Sequence, residues 1–153
     1  MKRILCLLLL PILVTACSTI SDWIYGNPPL TSLRQITVST ELAANSDNAT
    51  MLDFVFVYEA SAVVRLPKTG PEWFEQKDAL KKALAIGIEV VSLQVPAGSP
   101  DFEVDFPSRA SKAIGVYALA NYLTVDGQPI ANLTPWKKAR VQLRAKTITF
   151  SGN

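Results

Sequence analysis

Apolar and polar residues alternate along several short stretches of this chain, as they do in strands that bury one face. The alternation predicts strands over residues 33–42, 101–106 and 140–146. In the second of these, the acids Asp101, Glu103 and Asp105 alternate with aromatic and aliphatic residues. Each stretch is therefore predicted to have one buried face and one solvated face.

Other stretches are apolar on both faces, which is typical of strands in the interior of a sheet or a sandwich. Residues 52–58 read LDFVFVY and are rich in β-forming side chains, so they predict a central strand. Residues 113–123 predict a second buried strand, and residues 88–95 predict another that stops at a proline-rich turn. A short strand is also predicted over residues 62–66.

One segment has the period of a helix. Pro71 suits a first helical position, Glu72 suits the first turn, and Gly87 is a typical residue for the end of a helix. The apolar residues that share one face are Trp73, Leu80 and Leu84. The pattern therefore predicts a helix over residues 71–86.

Six or seven short strands with one helix favour a mainly β fold, a two-layer antiparallel β-sandwich with one inserted helix. A strongly curved sheet folded over the helix is the alternative arrangement. The folded domain is predicted to comprise residues 32–153.

The first residues have the layout of a secretory signal peptide. Lys2 and Arg3 precede an apolar run over residues 4–14, which is shorter than the ~20 residues that a membrane-spanning helix needs. Small residues follow this run. We therefore expect residues 1–16 to be removed from the mature protein.

The sequence Val14-Thr15-Ala16-Cys17 resembles the bacterial lipobox. In lipobox proteins the cysteine thiol is joined to diacylglycerol, the preceding peptide bond is cut and the new amino group is acylated. The resemblance implies that residues 17–31 are a lipidated N-terminus and a tether. It also implies that Ser18, which is not aspartate, directs the protein to the outer membrane, facing the periplasm. The acyl groups on Cys17 are the only cofactor-like groups expected.

Charge and composition exclude several classes of function. Lys2 and Arg3 account for the whole net charge of +2, so the mature chain is neutral and is not expected to bind nucleic acid. The chain has no histidine, and both cysteines, Cys6 and Cys17, lie within the signal peptide and its processing site. Asp101, Glu103 and Asp105 are read as a solvated strand face rather than a metal or acid–base site. The sequence thus predicts a binding module and not an enzyme.

The order of motifs in the domain resembles one family. A first strand ends in a polar turn that contains asparagine, and a strand with Val55-Phe56-Val57-Tyr58 follows. Next come a helix with Trp73-Phe74, the turn Pro96-Ala97-Gly98, and the strand Ile114-Gly115-Val116-Tyr117-Ala118-Leu119-Ala120. This is similar to the type VI secretion outer-membrane lipoproteins called TssJ (SciN or VasD). The C-terminal third, where Trp136 lies beyond a long turn, departs from the family pattern.

The resemblance implies a transthyretin-like β-sandwich with a structural role. It implies that the lipoprotein anchors the type VI secretion membrane complex to the outer membrane by binding the periplasmic domain of the inner-membrane protein TssM. In the family the loop between the first two strands carries much of this contact. Here that loop corresponds to Asn45, Ser46, Asp47, Asn48, Ala49 and Thr50. Another periplasm-facing lipoprotein, such as a pilotin or an inhibitor, is the alternative, and a minor envelope hydrolase that uses carboxylates is a further one.

Overall fold

The structure is a computed structural model that describes residues 28–124, 128 and 130–153. The predicted signal peptide and the predicted lipidation site Cys17 lie outside these residues. So do most of the tether and the turn predicted at Asp126-Gly127. The domain itself is described almost throughout.

Eight strands and two helices form the described part of the chain. The strands are β1 Gln35–Thr40, β2 Thr50–Val57, β3 Ile88–Val95, β4 Phe102–Glu103, β5 Gly115–Asn121, β6 Ala131–Asn132, β7 Lys138–Leu143 and β8 Ile148–Gly152. The helices are α1 Ala60–Val63 and α2 Gly70–Leu84, with short 3-10 turns at Ala44–Asp47, Ala85–Gly87 and Ala110–Lys112.

The strands form two four-stranded sheets. Sheet one has the order β4-β1-β7-β8, and sheet two has the order β3-β2-β5-β6. All pairs are antiparallel except β1 and β7, which run parallel with Gln35 opposite Lys138 and Thr40 opposite Leu143. The predicted β-sandwich with one inserted helix is therefore confirmed, with one parallel pair in sheet one.

Two hydrophobic layers explain the burial pattern of sheet two. Between the sheets, Phe54 and Phe56 of β2 pack with residues of β1, β5 and β7. On the outer face of sheet two, Val55 and Val57 pack against Trp73 of α2. Strand β2 is covered on both faces, which is why its sequence is apolar at every position but Asp53 and the terminal Thr50.

Asp53 is the one charged side chain in that strand, and it fastens α2 to sheet two. Its Oδ2 atom accepts a hydrogen bond of 2.7 Å from the Trp73 indole and lies 2.8 Å from Lys77 Nζ. The Asp53 side chain is 1% exposed, and a carboxylate buried so deeply is stable only with such partners. At the start of α2, a Cβ atom on Gly70 would lie 2.0 Å from the Ala120 carbonyl oxygen, so only glycine permits this approach.

Three local predictions need correction. Residues 62–66 do not form a strand, because α1 and a following turn fill the space beyond the end of β2. Helix α2 ends at Leu84, and its C-cap is Ala85 with φ +37°, not Gly87. The alternating stretch 101–106 keeps its buried and exposed faces but pairs only at β4. The sequence patterns also missed β6 and β8.

Within the described part of the chain, neither helix is long and apolar enough to cross a membrane.

Candidate partner-binding site

The loop singled out from the sequence lies at one end of the sandwich, together with three other loops. We define the distal end as residues 41–49, 96–100, 122–124 and 144–147. These segments follow β1, β3, β5 and β7, or precede β2, β4 and β8. Because the strands stop at the same level, the four loops form one continuous surface.

Residues 45–47 have an uncommon backbone conformation. Asn45, Ser46 and Asp47 all lie in the left-handed region, with φ values of 49°, 53° and 63°. Asparagine and aspartate tolerate this region better than most residues do. The turn directs two amides towards β7–β8, where Asn45 N–H donates to the Arg144 carbonyl and Ser46 N–H to the Ala145 carbonyl, each at 3.0 Å.

Asn45 joins three of the four loops, one through its backbone N–H and another through its side chain. It is 3% exposed, and its Oδ1 atom accepts a 2.8 Å hydrogen bond from Leu123 N–H. Its Nδ2 atom donates to the Ala49 carbonyl at 3.3 Å. The buried side chain of Asn45 therefore helps to hold the distal end in one shape.

The fourth loop, residues 96–100, is connected to the others through Gly98. Gly98 has φ +71°, a conformation that favours glycine, and its N–H donates to the Glu41 carbonyl at 3.0 Å. The Leu42 side chain lies against Gly98, because a Cβ there would be 3.0 Å from Leu42 Cδ2. All four loops are thus connected by hydrogen bonds and short contacts.

Thr50, the last of the six predicted loop residues, is fully buried under the loop next to Tyr122. Burial raises the pKa of Tyr122 to about 12, and the nearby Arg144 backbone and Thr50 hydroxyl reduce this increase. Within the described residues, neither hydroxyl has a hydrogen bond of acceptable geometry. Thr50 therefore lies beneath the loop and is not part of its exposed surface.

Of the six residues predicted from the sequence, the structure exposes four, namely Ser46, Asp47, Asn48 and Ala49. It also exposes two large apolar side chains that the sequence did not single out. Leu42 is 85% exposed and Leu123 is 65% exposed. Both were predicted as strand residues, but β1 ends at Thr40 and β5 ends at Asn121, so neither leucine enters the core.

The charges of the distal end cancel. Its acids are Glu41 and Asp47, and its bases are Arg144 and Lys146. Arg144 Nε lies 3.7 Å from Glu41 Oε1, and both side chains are about half exposed. The distal end is therefore a rigid, neutral surface with two exposed leucines, which suits an apolar contact with another protein.

The acidic face considered from the sequence does not form a site. Asp101 pairs with Arg140 at 3.2 Å, Glu103 accepts a hydrogen bond from Gln35, and all three acids are exposed. In the described ranges no group of acidic side chains is arranged to hold a metal ion. An open depression on the outer face of sheet one is lined mainly by polar side chains of β1, β7 and β8.

Comparisons with known proteins place this fold. No protein-family model and no curated protein matches the sequence. Among solved structures, the chain is similar to the type VI secretion lipoprotein TssJ1 from Pseudomonas aeruginosa, with a TM-score of 0.57 and 14% identity. That alignment covers 78% of this chain and 94% of TssJ1.

Two further structures give the same result. Serratia marcescens Lip, described as a membrane-bound component of the type VI secretion system, has a TM-score of 0.53 and 9% identity, over 76% of this chain and 95% of Lip. A chain in a structure described as the TssM C-terminal domain (869–1107) from EAEC has a TM-score of 0.53 and 13% identity. The alignment covers 76% of this chain and 98% of the matched chain. The matched chain is therefore shorter than the segment 869–1107. This protein therefore has the fold of the TssJ lipoproteins.

Proposed function

We propose that this protein is an outer-membrane lipoprotein of a type VI secretion system. In this proposal Cys17 carries the lipid, and the distal end binds the periplasmic domain of a TssM-type inner-membrane protein. The protein anchors the membrane complex and catalyses no reaction. The observation that carries the proposal is that the N-terminal segment joins the domain at the end opposite the distal end.

Hydrogen bonds fix the point where the N-terminal segment joins the sandwich. Thr31 N–H donates to the Ala113 carbonyl at 2.8 Å, just before β5 begins, and the Thr31 hydroxyl donates to the Thr134 carbonyl at 3.3 Å. Arg34 N–H donates to the Lys137 carbonyl at 2.8 Å, just before β7 begins. Strand β1 then runs from this end to the distal end.

This geometry sets the orientation of a lipid-anchored domain. The segment between Cys17 and Pro28 reaches at most ~36 Å when fully extended. The six residues of β1 separate the two ends of the sandwich by ~20 Å. A lipid on Cys17 holds the opposite end nearer the membrane, so the distal loops face the periplasm, where an inner-membrane partner can reach them.

The distal end is also organised for binding. Its loops are already fixed by Asn45 and Gly98, so little conformational entropy is lost when a partner docks. Leu42 and Leu123 offer apolar area that a partner can remove from water. Exposed apolar side chains on a rigid surface are typical of a protein contact.

The comparisons support this choice of partner. The similar structures are named as type VI secretion lipoproteins, and one matched chain belongs to a structure named for the TssM C-terminal domain. Such components are structural, which agrees with a sequence that has no histidine and a domain without cysteine.

The partner contact can be tested by titrating residues 18–153 with the periplasmic domain of a TssM-type protein from the same organism. We expect Leu42→Asp and Leu123→Asp to weaken binding at least tenfold each, because each places a charge in an apolar contact. Leu30→Asp and Val64→Asp are matched controls, since these residues are 60% and 84% exposed at the opposite end. They should bind like the unchanged protein.

Two results would overturn the proposal. One is that TssM does not bind while a secretin or a lysozyme is captured, which would favour a pilotin or an inhibitor. The other is that the control variants lose as much affinity as the distal ones.

The lipid anchor has its own test. We expect Cys17→Ser to abolish metabolic palmitate labelling and leave the circular dichroism spectrum of the domain unchanged. In the unchanged protein the label should fractionate with the outer membrane. Labelling that persists in the variant would refute the assignment of Cys17.

A further inference from the structure

The end of the sandwich opposite the distal loops is strongly basic. We define the proximal end as residues 28–34, 58–66, 80–89, 105–114 and 133–138, the segments that flank the point where the N-terminal segment joins. Its basic residues are Arg34, Arg65, Lys81, Lys82, Arg109, Lys112, Lys137 and Lys138. Its acidic residues are Glu59, Glu89 and Asp105. The eight basic and three acidic side chains sum to a charge of +5.

The rest of the described chain has the opposite sign. It contains five basic residues, Lys68, Lys77, Arg140, Arg144 and Lys146. It contains eight acidic residues, Glu41, Asp47, Asp53, Glu72, Glu75, Asp78, Asp101 and Glu103. The described residues sum to +2, and Asp22 and Asp126, which lie outside them, bring the mature chain to zero. The neutral total of the mature chain therefore conceals a separation of charge along the sandwich.

Some of the proximal bases have structural roles. Lys81 and Lys82 lie in the last turn of α2, where cations offset the helix dipole. Arg109 pairs with Glu89, and Arg34 donates to the Leu33 carbonyl at 2.8 Å. Roles within the fold thus account for about half of the basic residues.

The remaining four basic residues have no such role in the structure. The side chains of Arg65, Lys112, Lys137 and Lys138 are exposed, and within the described residues none of them forms an ion pair or a hydrogen bond. They lie on three segments that are distant in sequence and meet at this end. An uncompensated basic cluster of this kind favours an anionic partner surface.

Three large apolar side chains project from the same end. Ile86 is 74% exposed in the turn before β3, Val64 is 84% exposed after α1, and Leu30 is 60% exposed beside Thr31. Exposed aliphatic side chains among lysines and arginines are typical of surfaces that insert into the interface of an anionic membrane. A purely electrostatic site for a soluble anion would not need them.

We propose that the proximal end is a second membrane contact, which binds the surface of a bilayer containing anionic phospholipids. Basic side chains contact the headgroup phosphates, and Leu30, Val64 and Ile86 enter the headgroup region. The N-terminal segment joins the domain at this same end, so an anchor on Cys17 would place it within reach of the membrane. The lipid and the basic end then act together to hold the sandwich upright with its distal loops facing away.

A pair of single-cysteine variants can test this orientation. Processing would leave the mature chain without a free thiol, because Cys6 is removed with the signal peptide and Cys17 carries the lipid. Val64→Cys and Leu42→Cys then add one labelling site each, on side chains that are 84% and 85% exposed at opposite ends. The lipidated protein is labelled with a fluorophore and reconstituted into vesicles that contain spin-labelled lipid as a quencher.

We expect the label at position 64 to be quenched in phosphatidylcholine vesicles that contain phosphatidylglycerol, and much less in phosphatidylcholine alone. The label at position 42 should remain unquenched in both. The unlipidated form of this protein is tested for binding to the same two kinds of vesicle by flotation. We expect it to bind vesicles that contain phosphatidylglycerol more strongly than vesicles of phosphatidylcholine alone.

Matched charge reversals at the two ends of β7 identify the contact. Lys137→Glu with Lys138→Glu changes the proximal end, and Arg144→Glu with Lys146→Glu changes the distal end. Each basic side chain near an anionic surface contributes about fivefold to membrane affinity, so the first pair should lower the docked-to-undocked ratio more than tenfold. The second pair should leave it unchanged, and high salt should act like the first pair.

The proposal is overturned if both labels are quenched equally, if quenching ignores phosphatidylglycerol, or if both double variants behave alike. Binding to isolated peptidoglycan without any vesicle effect would also overturn it, because the anionic partner would then be the cell wall. None of these outcomes depends on TssM, whose binding is measured in solution.

Discussion

The two ends of this sandwich have different chemistry although they are built from the same strands. The distal end is neutral, and its loops are fixed by hydrogen bonds through Asn45 and Gly98. The proximal end carries most of the positive charge. Its side chains Tyr58, Glu89 and Arg109 form a cluster of close contacts. The difference indicates that one end is suited to an apolar protein contact and the other to a charged surface.

The comparison also shows what a net charge conceals. From the neutral mature chain, the sequence predicts no binding to nucleic acid, which is an anionic partner. The fold brings eight basic residues to one end, however, and so creates a preference that no count of charges reveals. The arrangement of the strands brings these basic residues together. Where several strands begin or end at the same level, the segments that flank them lie side by side although they are far apart in sequence.

The largest expected effect tests the rigidity of the distal end. Asn45→Ala leaves the Leu123 N–H without its acceptor and forces alanine into a left-handed conformation at φ 49°. We expect the free energy of unfolding to fall by about 2–4 kcal/mol, measured by urea denaturation. Asn48→Ala is the control, because among the residues that the structure describes its exposed side chain bonds only to the Ser46 carbonyl. If both variants lose less than about 1 kcal/mol, Asn45 does not hold the loops together.

The matching test at the proximal end should give a smaller effect. The Arg109 guanidinium lies 4.1 Å from the centre of the Tyr58 ring, and its Nη1 atom lies 3.6 Å from Glu89 Oε1. Arg109→Ala removes a cation–π contact and a partly exposed ion pair, for which we expect a loss of about 1–2 kcal/mol. Arg109→Lys keeps the charge without the planar stacking and should fall between the two. If Arg109→Ala lowered the free energy of unfolding as much as Asn45→Ala does, the two ends would not differ in how strongly their side chains stabilise the fold.

Much of the fold could be predicted because its strongest signals are local. The sequence of β2 is apolar on both faces, and the structure places β2 at the centre of sheet two under α2. The period of residues 71–86 predicts α2 to within two residues. Strands β6 and β8 were missed for two different reasons. β6 has only two residues, and β8 alternates without fully buried positions.

The candidate site was harder to predict than the fold. The loop was chosen because of the family resemblance, and the structure shows that Asn45 is buried and bonds within the distal end. Leu42 and Leu123 continue the apolar pattern of their strands, and only the point where strand pairing stops shows that they are exposed. That point is fixed by contacts with β7 and β2, which lie far away in sequence. The parallel pairing of β1 with β7 is likewise a long-range property.

A pair of tyrosines sharpens the comparison through pH. Burial, and then the hydrogen bond to Glu89, raise the pKa of Tyr58 at the proximal end, and burial raises that of Tyr122 to about 12 at the distal end. A tyrosine whose pKa is higher in the folded protein than in the unfolded chain contributes its full stabilisation below about pH 10, the ordinary pKa of tyrosine. This stabilisation is lost as the pH rises through the pKa of the folded protein. For Tyr122 the loss therefore falls between about pH 10 and 12.

Phenylalanine variants separate the two sites. At pH 7 we expect Tyr58→Phe to lose about 1 kcal/mol, because it removes the hydrogen bond to Glu89. Tyr122→Phe should be close to neutral, since its hydroxyl lacks a well-formed bond within the described residues. Above pH 10, Tyr122→Phe should lose stability less steeply than the unchanged protein. Equal pH profiles for the two proteins would contradict the buried position of the Tyr122 hydroxyl.

The smallest expected effect concerns the backbone of the distal turn. Ser46 and Asp47 are exposed, lie at φ 53° and 63°, and their side chains make no hydrogen bond within the described residues. Ser46→Gly or Asp47→Gly relieves the left-handed strain of about 1 kcal/mol, but it adds freedom to the unfolded chain. We expect a net gain of about 0.5 kcal/mol or less in urea denaturation. The same substitution at Asn48, which has φ −105°, should instead be destabilising. A loss at position 46 or 47 as large as the one at position 48 would mean that the left-handed turn does not form in solution, and the rigid distal end would then need another explanation.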